Sequence, residues 1–152
     1  MRPQIMISYK IMEIKEEQLV VKKSILPDAG KGLFTKKFIR KGTRIVEYKG
    51  KITSWGKVSH HNGENGYIYY VKRNHVIDAA RHKKALARYA NDARGLKKVK
   101  GLTNNAQYTE DGLKVYIEAT KDIPAGSEIL VGYGKEYWDV IRHNKRLDEK
   151  SK

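Results

Sequence analysis

Two separated stretches of the chain carry side chains at odds with simple burial. They are Ala87-Arg88-Tyr89-Ala90-Asn91-Asp92-Ala93 and Glu128-Ile129-Leu130-Val131-Gly132-Tyr133-Gly134. In the first, an amide and a carboxylate interrupt small apolar residues. In the second, Tyr133 stands between two glycines at the end of an apolar run. Brought together, they would set hydrogen-bond donors and acceptors beside an aromatic hydroxyl, a composition that suits a binding cleft. A third stretch, Ala29-Gly30-Lys31-Gly32-Leu33-Phe34, adds a glycine turn near the N-terminus. Each has a plainer reading. Asn91 serves equally as a turn former bonded to its own backbone, Tyr133 as a core tyrosine, and Gly30 to Gly32 as a surface turn.

The elements that must position these residues read mostly as short strands joined by turns. Leu19-Val20-Val21, Arg44 to Tyr48, Tyr67 to Val71, Val76 to Ala79, Gln107 to Thr109, Leu113 to Ala119 and Glu128 to Val131 have strand character. Turn signals fall at Pro27-Asp28-Ala29-Gly30, Arg40-Lys41-Gly42, Glu110-Asp111-Gly112 and Ile123-Pro124-Ala125-Gly126. Lys72-Arg73-Asn74-His75 predicts a hairpin. Ile5, Ile7, Tyr9 and Ile11 alternate as an edge strand, residues 55–66 read as a loop or short helix, and residues 81–90 as one or two helical turns. Only Glu136 to Arg146 has a longer helical pattern. The sum is a mainly β domain of small sheets.

With 152 residues, 39% hydrophobic and 32% charged, the chain predicts one domain with a modest core and an ionic surface. The absence of cysteine excludes disulfides and Cys-based zinc clusters. The five histidines, His60-His61 among them, lack metal-ligand spacing, so no metal site is expected. No apolar run approaches the ~20 residues of a membrane span, and no export signal is evident. The expected setting is therefore intracellular, nuclear in a eukaryote or cytoplasmic in a bacterium, with no membrane partner. Net charge is +15, from 32 Lys+Arg against 17 Asp+Glu. Such a balance favours nucleic acid or acidic surfaces as neighbours, through non-specific phosphate contact rather than sequence readout.

The three stretches, with Tyr67-Ile68-Tyr69-Tyr70 and Ile77-Asp78-Ala79 between them, resemble in order the landmarks of the SET-domain family of protein-lysine methyltransferases. Gly30 to Phe34 is similar to the family's GxG turn, Ala87 to Ala93 to its R-F-x-N-H-S run, and Gly126 to Gly134 to its G-E-E-L-T-x-x-Y-G signature. The resemblance covers residues 20–138, with 1–19 as an N-terminal extension and 139–152 as a C-terminal helix and basic tail. It implies the SET-domain fold: several small twisted β-sheets around a knot-like core, with a short C-terminal helix. It also implies methylation of a lysine in a protein substrate by S-adenosylmethionine.

Site roles follow from the resemblance. Gly30, Lys31, Gly32 and Leu33 would approach the cofactor through their backbone, and Tyr67, Arg88, Asn91 and Asp92 would complete its site. Trp138 stands where relatives without zinc clusters place an aromatic over the adenine. Tyr133 would sit near the transferring methyl, with Tyr48 and Tyr108 lining a lysine channel. Tyr108 and Val131 resemble an arrangement that limits transfer to one or two methyls. Tyr67, Tyr48, Tyr108 and Trp138 also fit ordinary sheet or helix packing. Asp92 replaces the family's histidine, setting a carboxylate where relatives carry a potential cation. Histone tails are the family's usual substrates, so a basic, DNA-associated protein is the expected partner. It would be recruited by nucleic acid or by an acidic groove near Glu47, Glu64, Glu110 and Asp111. Two other readings stay open: an inactive SET-like domain that binds protein partners, and a basic nucleic-acid-binding β domain.

Overall fold

The computed structural model describes residues 11–60, 65–95 and 99–134. Eight strands form three antiparallel sheets, in agreement with the mainly β expectation. β1 (Leu19–Lys23) pairs with β2 (Lys31–Thr35). β3 (Arg44–Glu47), β8 (Lys114–Ala119) and β7 (Ala106–Asp111) form a three-stranded sheet in that order. β4 (Lys51–Thr53), β6 (His75–Asp78) and β5 (Ile68–Lys72) form another. Single 3₁₀ turns occupy Glu16–Gln18 and Leu86–Tyr89, the latter within the expected helical stretch.

Sequence alternation explains the layering. Along β8, Val115, Ile117 and Ala119 turn inward and Lys114, Tyr116 and Glu118 do not, the two-residue period of a half-covered sheet. β2 is buried from Gly32 to Thr35 because it lies between β1 and the chain near Glu128. The main core joins Leu33, Ile39, Ile45, Ile77, Val115, Ile117, Ile123 and Ile129. A smaller cluster holds Leu26, Ala93 and Leu130.

Four features differ from the sequence expectation. The glycine turn closes at Gly30, whose carbonyl accepts from the Ser24 N–H at 2.8 Å. Gly32, Leu33 and Phe34 therefore belong to a strand, because five register pairs with β1 outweigh the weak strand preference of glycine. β4 was not distinguishable in its basic surroundings, where only Ile52 and Thr53 have strand character. Leu113, expected in a strand, is in the turn before β8 and 46% exposed.

The fourth difference is at residues 128–131, expected as a regular strand. They form single bridges to three successive neighbours: Glu128 to Phe34, Leu130 to Asn91, and Val131 to Ala106. Val131 N–H donates to Asn91 O at 2.8 Å, while the N–H groups of Asn105 and Ala106 both donate to Leu130 O. Ile129, Leu130 and Val131 are all buried. This segment is threaded between parts of the chain far apart in sequence, and it brings Asn91, Asp92 and Tyr133 together. The start of the edge strand, the Glu136–Arg146 helix and Trp138 fall outside the described residues.

Candidate active site

Glu128 organises the centre of this crossing. It is 3% exposed, and its carboxylate accepts from Ser24 Oγ at 2.7 and 3.0 Å, Ile25 N–H at 2.9 Å and Asn91 Nδ2 at 3.3 Å. A buried carboxylate needs such donors to offset lost hydration. Gly32 makes the approach feasible: a Cβ there would lie 2.3 Å from Glu128 Oε2. Asn91 also donates through Nδ2 to Lys31 O at 2.9 Å. The glycine turn, the Asn91 segment and the threaded segment are thus locked by one acid. Glu128 was legible only as part of a signature; its burial and its contact with Gly32 were not.

Asp92 is equally engaged. Its Oδ1 accepts from Arg94 N–H and Asn104 Nδ2, both at 2.8 Å, and its Oδ2 from Tyr133 N–H at 2.9 Å. Asn104 Oδ1 in turn accepts from Ala93 N–H at 2.8 Å. The side chain that departs from the family pattern therefore fixes the backbone of Tyr133. The Tyr133 hydroxyl donates to Ala90 O at 2.5 Å, so both ends of this residue are tied to the 90–92 segment.

Around this crossing lies a cavity of about 850 Å³. It is lined by Asp28, Gly30, Lys31, Tyr67, Arg88, Asn91 and Asp92 together with Tyr48, Tyr69, Tyr108 and Tyr133. Gly30 adopts φ +67, a left-handed conformation, with open space where a Cβ would project. Arg88 stacks its guanidinium 4.0 Å from the Tyr67 ring centroid, and its Nη1 donates to Ala79 O and Ala80 O. Tyr48 donates its hydroxyl to Tyr67 O at 2.8 Å.

Tyr48, Tyr69 and Tyr108 form a compact aromatic cluster. Ring centroids are 6.0 Å apart for Tyr48–Tyr69 and Tyr48–Tyr108, and 5.3 Å for Tyr69–Tyr108. It runs from buried Tyr48 to the exposed carboxylate of Glu110, which accepts from the Tyr69 hydroxyl at 3.2 Å. Burial, then the charge of Glu110 and its hydrogen bond, push the Tyr69 pKa up to about 12. Tyr69 is therefore a neutral donor at ordinary pH.

Of the residues expected at a site, Gly30, Lys31, Tyr48, Tyr67, Arg88, Asn91, Asp92, Tyr108 and Tyr133 line this one cavity. Gly32 and Leu33 do not: Gly32 faces Glu128, and Leu33 is fully buried in the core. Tyr69, which sequence alone left as a strand aromatic, joins the lining. Trp138 lies outside the described residues. Among the described residues no group of three or more His, Asp or Glu is placed to hold a metal ion.

Three small sheets around a threaded segment, with an open glycine turn and a tyrosine-lined cavity, agree with the fold that the sequence resemblance implies. The chain matches the SET domain over residues 30–134 and belongs to that family. Among solved structures it is similar to the methyltransferase domain of human PR domain-containing protein 2. The two share 26% identity over 78% of each chain, with a TM-score of 0.58. A search of curated proteins returned no match.

Proposed function

We propose that the chain transfers a methyl group from S-adenosylmethionine to the side-chain nitrogen of a lysine in a protein substrate. The observation that carries this reading is the continuity of one cavity from the Gly30–Lys31 turn and Asn91 to the four tyrosines. Its volume is in the range of small-molecule sites, and the open face of Gly30 leaves room for a nucleoside joined to an amino acid. When bound, the cofactor supplies an activated methyl on a sulfonium. Gly30, Lys31, Arg88 and Asn91 would hold it.

The tyrosine cluster accounts for the other reactant. Its rings would enclose the aliphatic stem of a lysine and keep water away from the amine. An amine of reference pKa about 10.4 must be neutral to attack, and an apolar enclosure disfavours its charged form. Tyr133 donates its own proton to Ala90 O and so offers oxygen lone pairs, rather than a proton, to an amine N–H. Alignment and exclusion of water are the protein's main contributions to a direct methyl transfer. Glu110, at the outer end of the cluster, favours a substrate with further positive charge beside the target lysine, as in a histone tail.

The test is calorimetric titration with S-adenosylmethionine for the wild type and Asn91→Ala, followed by mass spectrometry of histones and lysine-bearing peptides. Binding lost in Asn91→Ala, with methyl increments on lysine, is the expected result. Absence of cofactor binding ends the reading. Binding without transfer would assign the chain to partner recognition instead.

A further inference from the structure

Strand alternation sends the aromatic residues of β5 to opposite faces of its sheet. Tyr69 turns toward Tyr48 and Tyr108, whereas Tyr70 meets Trp55 edge to face at a centroid distance of 5.5 Å. Trp55 also meets the His60 ring at 4.5 Å. Neither large ring is buried: Trp55 is 46% and Tyr70 51% exposed. They are nonetheless held in place. Trp55 N–H donates to Arg73 O at 2.9 Å, tying the segment after β4 to the β5–β6 hairpin, and Val58 anchors the same segment by its burial.

Charge is segregated around these rings. Residues 49–60 and 68–77 contain Lys49, Lys51, Lys57, Lys72 and Arg73 but no aspartate or glutamate. Lys51, Lys57, Lys72 and Arg73 are all exposed. Lys49 pairs with Glu16 at 3.6 Å. The acid of this sheet, Asp78, lies two residues beyond Val76, the register partner of Tyr70, and its Oδ1 accepts from Asn65 Nδ2 and Ala80 N–H. Half-exposed aromatic rings beside Lys57, Lys72 and Arg73, which form no ion pair among the described residues, match the two requirements of an unpaired nucleic-acid strand. Phosphates need cations, and bases need flat surfaces on which to stack.

We propose that this face, built on Trp55, Tyr70, Lys57, Lys72 and Arg73, binds single-stranded nucleic acid. It lies across the sheet from the tyrosine-lined cavity, so both can be engaged at once. The proposal stands whether or not the cavity transfers methyl groups.

The test is anisotropy titration of the full chain with a labelled oligothymidylate of about 20 nucleotides and with a duplex of the same length, at about 0.15 M salt. Tryptophan emission is followed alongside. The single strand is expected to bind at least about tenfold tighter than the duplex and to quench emission. Trp55→Phe should remove most of that quenching, because Trp138 is the only other indole in the chain. The Trp55→Ala/Tyr70→Ala variant should lose about tenfold or more in single-strand affinity. A Lys57→Glu/Lys72→Glu variant, which keeps both rings and the fold they sit on, should bind more weakly with a shallower salt dependence. Equal affinity for both nucleic acids without quenching would reduce the face to bulk charge and overturn the proposal. So would unchanged binding by the Lys57→Glu/Lys72→Glu variant, or binding confined to phosphatidylserine vesicles or acidic peptides.

Discussion

Asp92 Oδ2 accepts the backbone N–H of Tyr133 at 2.9 Å, so a carboxylate in the 87–93 segment sets the height of the tyrosine in the threaded one. Its other oxygen is shared by Arg94 N–H and Asn104 Nδ2. Asp92→Asn supplies one acceptor oxygen where two are needed and turns an NH₂ toward an existing donor. The expected cost is about 2 kcal/mol of stability, from a buried hydrogen bond lost and a donor left unpaired. Turnover should fall more than cofactor affinity, because Tyr133 moves while Asn91 and Gly30 keep their places. Denaturant unfolding and steady-state kinetics together check this; an unchanged stability would refute the clamp.

Gly32→Ala is expected to be far more disruptive than an ordinary strand substitution. The new methyl would meet the carboxylate of Glu128, which is itself held by Ser24, Ile25 and Asn91. A loss of about 2–3 kcal/mol follows from overpacking. In Glu128→Ala the obstruction is gone, so the double variant should be less destabilised than the sum of the singles. Urea unfolding of the four-member cycle checks this; strict additivity would mean that the two residues do not compete for space.

Tyr133→Phe keeps the ring and removes the bond to Ala90 O. Methyl transfer should drop about 10²-fold through misplacement of the reacting groups, with cofactor binding changed only a few fold. Parallel calorimetry and transfer rates separate the two effects. Equal losses in both would place the hydroxyl in the cofactor site rather than beside the amine.

Tyr69 carries the pH dependence. Its folded pKa is about 12 against an ordinary 10.0, so the folded state holds the phenolic proton more tightly than the unfolded chain does. The associated stability is fully present below pH 10 and is lost as pH rises from there through 12. Alkaline difference spectra should show a late-titrating component that disappears in Tyr69→Phe and moves toward lower pH in Glu110→Gln. An unaltered titration curve in Glu110→Gln would dissociate Tyr69 from Glu110.

Fold class and most of the cavity were legible because their signals are local. Val115, Ile117 and Ala119 alternate, Lys72 to His75 announce a hairpin, and the polar insert at Asn91-Asp92 stands out among alanines. Long-range exchange of roles was not legible. Gly32 reads as turn but lies in a strand paired with β1, where Glu128, 96 residues later, occupies the space a side chain would need. Residues 128–131 have strand composition yet divide their bonds among three neighbours, which no periodicity encodes. Tyr69 and Tyr70 are indistinguishable in sequence, and only the register of β5 decides which faces the cavity.

The threaded segment also governs when the protein can finish folding. Its partners Phe34, Asn91 and Ala106 must already be near one another before Ile129, Leu130 and Val131 can be covered. Contacts of such sequence separation slow the search, placing folding in the range of milliseconds to seconds. On the ribosome, the chain before residue 128 emerges first, with Leu33 and the Asn91 segment still lacking the threaded segment that packs on them. The nascent chain therefore passes through a stage with apolar surface open, in which chaperone binding or aggregation competes with completion.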